Sequence, residues 1–132
     1  MSLSKKEMIA EVVRCGKSPV YFCNNYAKIS HPLRGLIPFD MYDFQEEALK
    51  DFKVNRFSVI LKARQLGIST SVAAYVCWLM LFQRDKNVLV VATKLGTATN
   101  LVKKIKAIHK NLPPWLKIAN ISIDNRTSFE LT

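Results

Sequence analysis

The stretch Phe57-Ser-Val-Ile-Leu-Lys-Ala-Arg-Gln-Leu-Gly-Ile-Ser69 decides how the rest of the sequence is interpreted. It opens with a short apolar run, residues 57–61, that is rich in strand-forming side chains. Because parallel strands covered on both faces show nearly continuous apolar runs, this run predicts a central buried strand. A loop, residues 62–67, follows it, and we expect a buried helix from about Ser69 to Phe82.

The same order of elements recurs further along the chain. Residues 87–92 form a second apolar run that predicts a buried strand. Residues 98–112 then place apolar side chains at helical spacing. Strand, helix, strand, helix predicts an α/β fold, a parallel sheet flanked by helices. Alternating apolar residues on either side of Asp124 and Asn125 predict a terminal hairpin.

The sequence before residue 57 predicts an arm and one more helix. Residues 1–39 are expected to pack as a helical and extended arm on a main body, residues 40–132. Within the arm, residues 4–15 predict an amphipathic helix, and the prolines and glycine of residues 16–39 favour turns and extended segments. Asp43 is expected to cap a helix that runs to about Phe52. Because the sequence stops at Thr132 inside a predicted strand, the sheet is expected to be incomplete.

The loop after the first apolar run resembles a phosphate-binding loop. The standard pattern is G-x-x-x-x-G-K-[ST], and the loop keeps Gly67 and Ser69 of it. Lys62 stands in place of the first glycine and Ile68 in place of the lysine. A helix start preceded by glycine can bind phosphate through backbone N–H groups. Alternatively, Gly67 only makes a turn.

Two functional roles can be assigned to side chains of this loop and of the helix start. The cation that reaches the β- and γ-phosphates would be Lys62 or Arg64. Ser69 would supply a hydroxyl to Mg²⁺, with Thr70 as a less favoured substitute. In the alternative without a ligand, Lys62 and Arg64 are solvated.

The sequence resembles the ATPase domain of tailed-bacteriophage large terminase subunits. That family has a deviant phosphate loop with Arg-Gln-x-Gly at its centre, and in some members the lysine stands at the first position. The whole loop and the start of its helix are therefore implied to bind nucleotide: Lys62, Ala63, Arg64, Gln65, Leu66, Gly67, Ile68, Ser69 and Thr70. The resemblance implies a P-loop NTPase-type sheet.

Two further residues gain roles from this resemblance. The segments His31-Pro-Leu-Arg-Gly-Leu-Ile-Pro-Phe39 and Tyr42-Asp-Phe-Gln45 are similar to the terminase sequence before the loop. A glutamine placed like Gln45 recognises adenine in that family, and an amide can both donate to and accept from the adenine edge. Without the resemblance, Gln45 would be an exposed helix residue. Arg64 would act with Lys62 in catalysis, or it could hold the loop closed through a carboxylate.

The resemblance implies a motor that couples ATP hydrolysis to translocation of double-stranded DNA into a procapsid. Its cofactors would be ATP and Mg²⁺. Its partners would be DNA, a portal protein, a small terminase subunit and further copies in a ring, in the host cytoplasm and without a membrane. The acidic pair expected after a later strand is absent from the sequence, as is a nuclease domain. We therefore expect little or no hydrolysis by this chain alone.

Composition leaves two other functions open. Twenty Lys and Arg against ten Asp and Glu give a net charge of +10, which favours polyanionic partners. The lysines at 103, 104, 106 and 110 form a solvated helix face or a DNA-tracking face. One alternative is a non-catalytic DNA-binding or assembly module, in which the loop is degenerate and the charge does the binding. The other is a helicase-type ATPase of similar fold. Three cysteines without C-x-x-C spacing predict reduced thiols and no zinc site.

Overall fold

The computed structural model describes residues 2–62 and 67–131. Within these residues the chain forms five α-helices, one short 3-10 helix and two separate antiparallel hairpins. The helices are α1 (Lys5–Lys17), α2 (Pro19–Tyr26), α3 (Asp43–Val54), α4 (Ile68–Phe82) and α5 (Leu95–Lys110). The strands are β1 (Lys28–His31), β2 (Gly35–Pro38), β3 (Ile121–Asp124) and β4 (Phe129–Leu131), and the 3-10 helix is Pro114–Leu116.

The predicted parallel sheet is wrong. The described residues contain only the hairpins β1–β2 and β3–β4, and neither of the two apolar runs belongs to a strand. Residues 57–61 and 87–92 have no regular secondary structure and are largely exposed, with Val59 98% and Leu89 86% exposed. The prediction failed because an apolar run was taken as evidence of burial. A run becomes a central strand only where neighbouring strands pair with its backbone, and here the helices pack on one another instead.

Helices α1 and α2 begin at serines whose side chains satisfy free backbone N–H groups. At α1 the Ser4 hydroxyl accepts from the Glu7 N–H at 3.3 Å, while the Glu7 carboxylate accepts from the Ser4 N–H at 2.7 Å. At α2 the Ser18 hydroxyl accepts from the Tyr21 N–H at 3.2 Å. Pro19 is the first residue of α2, where a missing N–H costs nothing. The expectation of turns and extended chain over residues 16–39 is therefore wrong for α2.

Helix α4 lies at the centre of the hydrophobic core. It packs against α1, α2, α3 and α5. The indole N–H of Trp78 donates to the Cys15 carbonyl at 2.7 Å and so joins α4 to α1. Phe82 meets Phe22 of α2 edge-on at 5.6 Å between ring centroids. The predicted buried helix is confirmed, beginning one residue earlier than expected.

The C-terminal hairpin packs on α5, and its prediction is confirmed. Strands β3 and β4 pair antiparallel, with Ile121 opposite Leu131 and Asp124 opposite Phe129. Lys106 of α5 forms an ion pair with Asp124 at 2.7 Å. His109 of α5 meets the Phe129 ring edge-on at 5.5 Å. An aromatic contact and an ion pair thus join the hairpin to one face of α5.

The three cysteines, Cys15, Cys23 and Cys77, are free and buried in the core. Burial raises the pKa of the Cys15 and Cys77 thiols to about 12 each, because a thiolate would be poorly solvated there. None of the helices in the described ranges is long and apolar enough to cross a membrane.

Candidate functional site

The structure places Gly67 at the mouth of α4 in a left-handed conformation, with φ 72° and ψ 15°. Glycine adopts this conformation freely, whereas a Cβ raises its energy. The backbone turns here from the loop into the helix, and Ile68 is the first helical residue. The sequence thus correctly predicted a glycine turn leading into a helix.

The carbonyl of Gly67 accepts hydrogen bonds from two elements. The Ser71 backbone N–H and the Ser71 hydroxyl both donate to it at 3.0 Å. The amide nitrogen of Gln45, on α3, donates to the same oxygen at 3.2 Å. Ser71 is fully buried. This oxygen is therefore a shared hydrogen-bond acceptor that connects the first turn of α4 to α3.

Sequence reasoning overlooked Ser71. A signal was present, because a serine four residues after a helix-starting residue can donate its hydroxyl back to that residue's carbonyl. In the largely apolar sequence of α4, a buried serine also requires a partner for its hydroxyl. Ser71 meets that requirement by fixing the carbonyl of the predicted phosphate-loop glycine.

Gln45 is buried, with 3% of its surface exposed, so the interpretation as an exposed helix residue is wrong. Its side-chain oxygen accepts from the Tyr42 backbone N–H at 2.9 Å and thereby satisfies the start of α3. Tyr42 precedes the helix, and Asp43 is its first residue rather than its cap. With its oxygen on Tyr42 and its nitrogen on Gly67, the Gln45 amide connects two helix starts that are far apart in sequence.

A side chain at position 67 would displace the Gln45 side chain. A Cβ built on Gly67 would lie 2.6 Å from the amide nitrogen of Gln45, closer than real Cβ contacts. Positive φ and this close approach are independent reasons for glycine at the position. The glycine and the glutamine that the resemblance assigned to one nucleotide site are in direct contact.

The other predicted site residues divide into three groups. Lys62 and Ser69 are exposed, and Thr70 is half-buried in the first turn of α4. Ile68, which stands where a standard phosphate loop has lysine, is buried. The remaining predicted loop residues lie outside the described residues: Ala63, Arg64, Gln65 and Leu66. Both the catalytic role of Arg64 and the path of the loop therefore stay predictions.

The start of α4 fits an anionic ligand better than it fits a bare metal ion. The first N–H groups of a helix carry partial positive charge, and the Ser69 hydroxyl is exposed beside them. Across the described part of the chain, no three His, Cys, Asp or Glu side chains are placed to hold a metal ion. A Mg²⁺ bound here would take most of its oxygen ligands from phosphates and water, as Mg²⁺ commonly does.

A separate groove of about 910 Å³ lies between α4, α5, residues 85–90 and the C-terminal hairpin. Its lining includes Val76, Leu95 and Phe129 but none of the predicted site residues. The loop before α5, at Thr93 and Lys94, is exposed and does not line this groove. Volume alone therefore does not favour the start of α4 as the functional site.

No known protein-family model matches the chain. The resemblance to large terminases therefore rests on the motif residues quoted from the sequence. The structure adds one relation that those motifs did not contain, the hydrogen bond from Gln45 to Gly67.

Proposed function

We propose that the chain is a nucleotide-binding part of a DNA-packaging ATPase of the tailed-phage large terminase type. Mg-ATP binds at the start of α4. The observation that supports this most is the contact between Gln45 and Gly67, because it joins the two motifs that the resemblance assigned to adenine and to phosphate. The proposal requires an ordered helix start with a glycine before it, and it does not require a parallel sheet.

Each residue of the proposed site has a physical role. The left-handed Gly67 keeps a side chain away from the helix mouth, so that phosphate oxygens can approach backbone N–H groups. Lys62 brings a compact positive charge to the β- and γ-phosphates. Ser69 presents an exposed hydroxyl as a ligand to Mg²⁺. When bound, Mg²⁺ supplies charge neutralisation to the phosphates.

Arg64 and Gln45 have roles that extend beyond phosphate binding. Arg64 stabilises charge on the γ-phosphate and links hydrolysis to movement. Gln45 recognises the adenine edge through its amide. Because Gln45 is buried against Gly67, adenine recognition requires its side chain to leave this position. Binding of adenine would then remove the hydrogen bond from Gln45 to the Gly67 carbonyl at the start of α4.

In the intact motor, this site would drive double-stranded DNA into a procapsid. Further copies of the chain in a ring, a portal protein and a small terminase subunit would be its partners in the host cytoplasm. The helicase-type ATPase would share the nucleotide site, and no contact around Gly67 within residues 2–62 and 67–131 favours it. The basic module without nucleotide is the alternative that a binding experiment separates.

A titration with Mg-ATP tests the proposal. We expect saturable binding that weakens about tenfold or more in Lys62→Ala, since one charge-assisted contact to phosphate contributes about 1.5–3 kcal/mol. Lys50→Ala is the matched control, because Lys50 is an exposed lysine on the outer surface of α3. Isothermal titration calorimetry measures both variants, and GTP in place of ATP reports whether the base is recognised.

Two results would contradict the proposal. One is the absence of saturable binding at millimolar Mg-ATP while the chain remains folded by circular dichroism. The other is equal weakening in Lys62→Ala and Lys50→Ala, which would show that only net charge matters.

A further inference from the structure

Helix α5 differs from the other charged helices in the sign of its charges. Leu95–Lys110 contains four lysines and no Asp or Glu. Acidic and basic residues are mixed along α1, which has four basic and two acidic residues, and along α3, which has two basic and four acidic residues. The positive charge of the chain is therefore concentrated on α5 within the described helices.

The lysines of α5 separate into two classes. Lys106 faces the C-terminal hairpin, where it pairs with Asp124 at 2.7 Å, donates to the Asn125 carbonyl and lies over the Phe129 ring. Lys103, Lys104 and Lys110 are exposed. The two ion pairs found among the described residues are Arg14 with Glu11 and Lys106 with Asp124, so neither includes these three. One lysine thus anchors the hairpin, and three remain for an external anion.

The exposed surface between these lysines excludes some polyanion partners. Its other exposed positions in residues 100–110 are Asn100 and Ala107, without an aromatic or a large apolar side chain. Proteins that bind single strands rely on aromatic side chains on which bases stack. Helices that lie in a membrane surface insert a large apolar face. The small side chains here suit a rigid, highly charged surface better than either of these.

We propose that the exposed face of α5, formed by Asn100, Lys103, Lys104, Ala107 and Lys110, binds the phosphate backbone of double-stranded DNA without reading its sequence. Lys103 and Lys110 are two helical turns apart, about 10 Å along the axis, a distance over which each DNA strand presents about three phosphates. Lysine acts as a point charge and lacks the fixed fork with which arginine reads guanine. Duplex affinity is therefore independent of base composition.

This inference rests on the proposed function, because a packaging motor must contact the duplex that it moves. Its test uses no nucleotide, and failure of DNA binding is therefore distinguishable from failure of the nucleotide site. The experiment measures fluorescence anisotropy of a labelled duplex of about 30 base pairs, with the whole chain, between about 50 and 200 mM salt. The variant is Lys103→Gln/Lys104→Gln/Lys110→Gln.

We expect the variant to lower duplex affinity about tenfold or more and to reduce the slope of log K against log salt by about 2–3, since each phosphate that a lysine neutralises adds about 0.9 to the slope. The matched control, Lys5→Gln/Lys6→Gln/Lys50→Gln, removes the same net charge from exposed lysines of α1 and α3. It is expected to change the slope by less than about 1. Unchanged thermal unfolding of both variants shows that the fold is retained.

Three outcomes would overturn the inference. The first is equal loss of affinity in the two triple variants, and the second is an unchanged salt slope in the α5 variant. The third is a preference of the unmodified chain for single-stranded DNA or for anionic phosphatidylserine vesicles, abolished by substitution of the α5 lysines. Equal affinity for AT-rich and GC-rich duplexes supports the absence of sequence reading, whereas a preference for one composition contradicts it.

Discussion

Helices α4 and α5 pack side by side, and each is preceded in the sequence by an apolar run and a loop. They differ in whether their buried polar atoms have hydrogen-bond partners. In α4 the buried polar atoms of Ser71 and Trp78 have hydrogen-bond partners at 3.0 Å and 2.7 Å. In α5 the buried Nε2 atom of His109 has no hydrogen-bond partner among the described residues. The two buried polar side chains of the core helix are thus satisfied, whereas the more exposed helix keeps an unsatisfied atom.

The starts of the two helices also differ, in their contacts with the rest of the molecule. Gly67 before α4 has positive φ and touches Gln45, whereas the space around the Cβ position of Gly96 in α5 is open. Thr99 of α5 donates its hydroxyl to the Leu95 carbonyl at 2.9 Å, as Ser71 does to Gly67, but no second element reaches that carbonyl within the described ranges. Local sequence similarity therefore does not imply the same tolerance to substitution.

Gly67→Ala is expected to cause the largest decrease in the free energy of unfolding. A side chain at positive φ costs about 1–2 kcal/mol, and displacing the Gln45 amide adds the loss of a buried hydrogen bond, for a total of about 2–3 kcal/mol. Urea unfolding followed by circular dichroism measures the free energy of unfolding. The double variant Gly67→Ala/Gln45→Ala should lose less than the sum of the single variants, because both remove the same hydrogen bond. Strict additivity would show that the contact is not energetically important.

A change of pH is expected to have an intermediate effect on the free energy of unfolding, because it changes the protonation of His109. Burial lowers the pKa of His109 below its ordinary value of 6.5, and Lys117 lowers it further. As pH falls, His109 is therefore protonated in the unfolded chain at a higher pH than in the folded chain. The contribution of neutral His109 to the free energy of unfolding is complete above pH 6.5 and is lost as pH falls below it. The urea midpoint should decrease between about pH 7.5 and about pH 5.5, a range above the ordinary titration of acidic side chains.

His109→Phe provides the control for this pH effect. Phenylalanine keeps an aromatic ring against Phe129 but cannot bind a proton. The decrease in urea midpoint between the two pH values should become smaller in this variant. An equal decrease in the variant would assign the pH dependence to other groups.

The smallest effect on the free energy of unfolding is expected from Gly96→Ala. This substitution should stabilise the chain, whereas Gly67→Ala should destabilise it. Gly96 lies in the first turn of α5, and a Cβ there meets no atom within 4 Å. Alanine restricts the unfolded chain and favours the helix, so the variant should gain about 0.5–1 kcal/mol. A thermal melt that rises for Gly96→Ala and falls for Gly67→Ala would confirm that the two glycines differ. Destabilisation by both would contradict this difference.

The helices were largely predictable because their apolar periodicity extends over several turns. Residues 98–112 predicted α5 and residues 69–82 predicted α4, each within three residues at either end. Helix α2 was missed because Pro19, Pro32, Pro38 and Gly35 were taken together as turn signals. Ser18 followed by Pro19 is a common helix start, and the proline there supports the helix.

The two predicted strands could not be judged from their own sequence. Residues 57–61 and 87–92 have strand-forming side chains, but a strand also needs a neighbour whose backbone accepts and donates hydrogen bonds. That requirement depends on distant residues. The site shows the same limit, because the burial of Gln45 against Gly67 depends on how α3 and α4 pack. The glycine at a helix start was predictable from local sequence, whereas the partner of its carbonyl was not.

The burial of all three cysteines gives the chain a built-in chemical reporter of its own core. Cys15, Cys23 and Cys77 sit on three different helices, α1, α2 and α4, and each is inaccessible while those helices stay together. An alkylating reagent in solution can modify them only when the helices separate, so the rate of modification reports how often the core transiently opens. The order in which the three sulfur atoms become labelled would then reveal which helix departs first.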